Sequence, residues 1–118
     1  MHPTSVPSHG TAHAHLHRLL GSCRREVFEA ACAFRRQPEP HLALIVLAGL
    51  AERWVDPAHL ALLRPPHPAI RLGEDLGLDS LTVIELGLAA EEALGRDALR
   101  SDSSPPRTLG DLVGRFLP

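Results

Sequence analysis

The sequence predicts an all-α fold: a small helical bundle with an additional helix on its N-terminal side. Three observations carry that reading. The chain has 118 residues, enough for one domain with an appendage. It is 44% hydrophobic but only 3% aromatic, so Leu, Ala, Val and Ile must fill the core, an inventory that suits a small helical bundle. Apolar residues recur at steps of three and four along several stretches, the spacing of one helical face. The expected division is an N-terminal extension over 1–38 and a helical domain over 39–118.

Met1–Thr11 carries Pro3, Pro7 and Gly10 among Ser, Thr and His, and reads as disordered. His2, His9, His13, His15 and His17 crowd this end, and His13 and His17 would share a helical face. No cysteine or acid completes a ligand set, so no metal site is predicted. Ala14–Arg36 is the first predicted helix, with Leu16, Leu20, Cys23, Val27, Ala30 and Phe34 as its apolar seam. Gly21-Ser22 weakens its middle and can break it into two pieces, and Pro38 and Pro40 close it. Two uses of the seam stay open: packing on the rest of the bundle as an extra helix, or docking or self-association with the arginines contacting an acidic partner. On one continuous helix, Cys23 and Cys32 would lie on nearly opposite faces and could not bridge each other.

His41–Trp54 is the second predicted helix, apolar on most sides and therefore expected to be buried on two faces. Asp56 and Pro57 read as the cap and first position of a short helical turn reaching Leu63. Arg64–Pro68 must be extended, and Ile70, Leu72 and Leu76 are apolar anchors for the loop that follows.

The most informative stretch is Gly73–Leu94. Leu76-Gly77-Leu78 forms a flexible turn, and Asp79 and Ser80 are both good helix-start residues. From Thr82 to Leu94 there is no proline. Leu86, Ala90 and Leu94 form the inward stripe with Val83 beside it, while Leu81, Ile84 and Leu88 form a second stripe. Gly95 is a plausible stop. Residues 96–107 hold Ser103-Ser104-Pro105-Pro106, which would disrupt any helix there. Thr108 then caps a last helix with Leu109, Leu112, Val113 and Phe116 facing inward.

A serine at this loop-to-helix junction has its hydroxyl near the surface. An anionic group attached to it would meet unpaired backbone N–H groups and the positive end of the helix dipole. The stretch Asp75-Leu76-Gly77-Leu78-Asp79-Ser80-Leu81, followed by Glu85 and by Glu91-Glu92, resembles the acyl carrier protein family. The resemblance extends over about the last two-thirds of the chain, from Leu42 onward, and implies a carrier-type helical bundle. It implies that Ser80 bears a covalent 4′-phosphopantetheine whose thiol holds acyl groups as thioesters. It also implies that Asp79 helps a phosphopantetheinyl transferase bind its metal and coenzyme A. Leu81 and Leu88 become apolar partner contacts, and Glu85, Glu91 and Glu92 acidic ones, against a solvated-face alternative for the glutamates. The family's short third helix is usually introduced by Ile-Pro, which is absent at 96–107, and Ala98 stands where the family prefers a larger apolar residue, so whether a third helix forms there stays open.

The implied protein is a free-standing, monomeric carrier rather than an enzyme. Its partners would be a phosphopantetheinyl transferase and acyl-transferring, condensing and acyl-modifying enzymes with basic docking patches. The wording around Ser80 resembles carriers of fatty-acid or polyketide synthesis, and the extra helix suggests a specialised pathway. A peptidyl or aminoacyl carrier, and an unmodified carrier-like interaction module, are the alternatives. Hydrolysis through Ser80 would require a positioned base and an oxyanion hole, and no Gly-x-Ser-x-Gly elbow is present.

Charge agrees with protein partners. From Ala69 on, nine acids face five arginines, whereas the first 68 residues hold seven arginines and five acids; the parts are net −4 and +2 in a chain of −2. That balance argues against nucleic acid. No apolar run is long enough to span a bilayer and no signal peptide is read, so a reducing cytoplasm is expected.

Overall fold

The computed structural model describes residues 18–21, 23–97 and 104–117. They form an all-α bundle of four α-helices, α1 (Arg25–Arg36), α2 (Pro40–Ala51), α3 (Ser80–Leu94) and α4 (Leu109–Arg115), with a 3₁₀ helix over Pro57–Leu63. The described residues hold no β-strand, only an isolated antiparallel bridge between Arg71 and Thr108.

The expected first helix, Ala14–Arg36, is broken into two pieces in its middle, as Gly21-Ser22 suggested: Arg18 and Leu19 are helical ahead of the break. A turn at Leu20-Gly21 interrupts it and α1 starts at Arg25, while residues 14–17 lie outside the described part, as do His13 and His17. The apolar seam nevertheless continues across the break: Leu20, Val27, Ala30 and Phe34 are buried and Cys23 is half-buried. Periodicity reports which residues face the core, and a glycine turn can keep that facing without keeping the helix. Cys23, now ahead of α1, and Cys32 are both free thiols.

α2 begins at Pro40, whose missing N–H costs nothing at the first helical position. It ends at Ala51 rather than Trp54, because residues 52–54 turn away. Ala43 and every residue from Val46 to Ala51 are buried. α1, α3 and α4 all pack on α2. Gly49 makes the α1–α2 approach possible, since a Cβ there would lie 2.5 Å from Cγ2 of Val27. Beyond α2, Glu52 gathers Arg64 (2.7 Å) and Arg24 (3.2 Å), and Arg53 donates to the carbonyl of Leu19. These contacts fasten the start of α1 to the end of α2 and to the loop after the 3₁₀ helix.

The 3₁₀ helix starts as its sequence indicates, with Pro57 at its first position and the Asp56 carboxylate accepting the Ala58 N–H. The following loop is pinned by buried Ile70, Leu72 and Leu76. It runs beside the start of α4 through Leu109 N–H to Ile70 O (3.0 Å), Gly110 N–H to Pro68 O (2.9 Å) and Leu72 N–H to Arg107 O (2.8 Å). Residues 104–107 are not helical, and 98–103, where the family's third helix was in question, lie outside the described residues. In α4 a reciprocal capping box joins Thr108 and Asp111, and Leu109, Leu112, Val113 and the following Phe116 are buried.

Candidate functional site at the start of α3

The loop preceding Ser80 is held by its own polar groups. Asp75 accepts the backbone N–H of Arg71 (2.8 Å) and its guanidinium (3.0 Å), and Glu74 lies 3.2 Å from the same guanidinium. The hydrogen bond from the Arg71 side chain, with that from its backbone, holds the Asp75 carboxyl below the usual carboxylate range. Asp75 is thus a loop cap. Gly77 then takes φ +73, open to glycine at no steric cost, and Leu78 is buried while its N–H bonds to Leu72 O (3.0 Å).

Two residues competed for the helix cap, and the structure assigns it to Asp79. Its carboxylate accepts the Thr82 N–H at 2.8 Å, a bond that depresses the carboxyl pKa, and its backbone is extended. Ser80 is the first residue of α3 and is exposed. Among the described residues no hydrogen bond engages its hydroxyl, which is therefore not consumed in capping. His67, the nearest histidine upstream in sequence, accepts the Ala69 N–H at Nδ1 (3.1 Å) within its own turn.

Along α3, Leu86, Gly87, Ala90, Ala93 and Leu94 face the core. The second stripe points outward, with Leu81 65%, Ile84 49% and Leu88 51% exposed. Ser80, Ile84 and Leu88 succeed one another at steps of four, so the hydroxyl stands at the head of the strip. Glu85 and Glu92 are exposed along one margin, and Glu91 is half-buried along the other. The anticipated contacts Leu81, Glu85, Leu88, Glu91 and Glu92 thus share one side of the helix with Ser80. Ile84, recognised in the stripe but not singled out as a contact, is the central member. Its place between Leu81 and Leu88 at helical spacing was the available signal.

The residues at this point fit a covalent phosphodiester. Ser80 is exposed with its hydroxyl uncommitted among the described residues, the helix start favours an anion, and aliphatic side chains lie alongside. Asp79 adds a negative charge beside it, which a single phosphodiester charge must tolerate. No helix among the described residues is long and apolar enough to cross a membrane. No protein-family model matches the chain, and no solved structure matches it.

Proposed function

We propose that the protein is an acyl carrier. Ser80 bears 4′-phosphopantetheine, and α3 presents the tethered acyl group to enzymes of fatty-acid or polyketide type. One observation carries this reading: Asp79 takes the helix cap, leaving an exposed serine hydroxyl at the head of an exposed aliphatic strip. An ordinary capping serine would instead use its oxygen on an N–H of the first turn.

When bound, the arm supplies the thiol that holds the acyl group. The chain's own residues have simpler tasks. Ser80 is the attachment atom, and Asp79 keeps the first turn of α3 closed. Leu81, Ile84 and Leu88 offer an apolar contact to partner enzymes. Glu85, Glu91 and Glu92 give that contact an acidic border suited to arginine or lysine on the partner. Tethering then raises the effective concentration of cargo at each partner's active site. In this reading the chain is no enzyme and acts in the cytoplasm, where coenzyme A and the transferase meet it.

The test is the intact mass after incubation with coenzyme A, magnesium and a broad-specificity phosphopantetheinyl transferase, alongside Ser80→Ala. A gain of one phosphopantetheine that the variant lacks supports the carrier. No gain with several transferases rejects it in favour of an unmodified docking module.

A further inference from the structure

The C-terminal end of α3 is poorly provided by its own sequence. Cations there would complement the negative end of the helix dipole, yet α3 has no basic residue in its last turn and carries Glu91 and Glu92 instead. The compensating charge comes from another helix. Arg35 of α1 donates from Nε to Ala93 O (3.0 Å) and from Nη2 to Glu92 O, two carbonyls in the last turn of the helix. Its guanidinium also lies against Gly95, 3.3 Å from where a Cβ would stand, and Gly95 closes α3 at φ +73. Next along the chain, Arg96 returns the contact: its guanidinium sits 5.6 Å from the ring centre of Phe34 on α1 and donates to Phe116 O (3.1 Å). Two arginines thus cross in opposite directions between α1 and the end of α3.

We propose that α1 is a clamp on the C-terminal turn of α3, with Arg35 as its gripping residue, so that the turn beyond the exposed strip is held closed by the Arg35 contacts. The strip therefore has two differently held ends. Asp79 closes the Ser80 end from within its own segment, whereas the end beyond Leu88 depends on a helix far away in sequence. Loss of the Arg35 contacts loosens the end of α3 from Glu92 onward and leaves the Ser80 turn closed. The clamp does not depend on modification at Ser80, and its readout needs no transferase.

Residue-resolved hydrogen exchange on the full chain tests it, comparing the wild type with Arg35→Ala and Arg35→Lys. In Arg35→Ala, amides of Glu92–Arg96 should exchange about tenfold faster, with Val27–Phe34, Val46–Leu50 and Thr82 unchanged. Arg35→Lys, which keeps the charge and one donor, should recover part of that protection. Unchanged exchange at Glu92–Arg96 would overturn the clamp. Equal acceleration across α1 and α2 would overturn it too, because Arg35 would then act only on global stability.

Discussion

α2 and α3 are both rich in aliphatic residues on more than one side, yet the molecule treats them oppositely. α2 lies under α1, α3 and α4 and buries every residue of its second half. α3 buries one face and leaves Leu81, Ile84 and Leu88 outside. Helical periodicity describes how a segment is apolar, but coverage depends on what else packs against it. The second face of α2 is covered because α1 reaches it through the notch at Gly49. None of the four helices of the described bundle covers the outer strip of α3, so a costly aliphatic exposure persists beside Ser80.

The strongest way to break the contrast is to uncover α2. Phe34 is fully buried in α1, and Phe34→Ala should cost about 3–5 kcal/mol, a large part of the stability of a small domain. Urea denaturation would read it as a lower midpoint with little change in slope. A loss near zero would mean that α1 is not integral to the core.

Gly49→Ala attacks the same interface from α2. The added methyl must displace Val27, and overpacking of this kind costs about 1–3 kcal/mol. The same denaturation measurement checks it, and an unchanged midpoint would show that α1 and α2 approach less closely than described.

Acid sharpens the comparison, because the helices differ in their caps. Asp79 closes α3 and Asp111 closes α4, whereas α2 begins without a side-chain cap. Backbone hydrogen bonds, from Thr82 to Asp79 and from Arg107 to Asp111, hold both carboxyls below their usual range. Their stabilising contribution is therefore complete above the unfolded carboxyl value of about 3.9 and fades as pH falls through the lower folded values. Amide NMR shifts of Thr82 and Arg107 should move with midpoints below that value, with α2 amides steady over the same range. Midpoints at or above about 3.9 would remove the caps from the account.

How far all this was legible in the sequence depends on the range of the interactions. The 3₁₀ start at Asp56-Pro57, the inward stripe Leu86–Ala90–Leu94 and the Thr108 cap were readable because each is decided within one or two turns of chain. In the first predicted helix Gly21 signalled a break into two pieces, but the seam outlasts the turn there, so periodicity alone gave the facing and not the restart of the helix at Arg25. Glu52 gathering Arg24 and Arg64, and Arg35 reaching the carbonyls of α3, join residues distant in sequence, and no spacing rule exposes them. At the site, the sequence left the cap shared between Asp79 and Ser80. Only geometry divides them, giving the N–H to Asp79 and leaving Ser80 exposed.

The smallest expected change in stability gives the most direct test of the central claim, that the open strip beside Ser80 is a docking face and not part of the core. The measurement pairs urea denaturation with transferase-dependent loading of phosphopantetheine on a variant combining Leu81→Ser, Ile84→Ser and Leu88→Ser. Because all three side chains are exposed, the account predicts a shift within about 0.5 kcal/mol per site, together with loading far slower than in the wild type. A loss of several kcal/mol, or loading at the wild-type rate with stability intact, would contradict it.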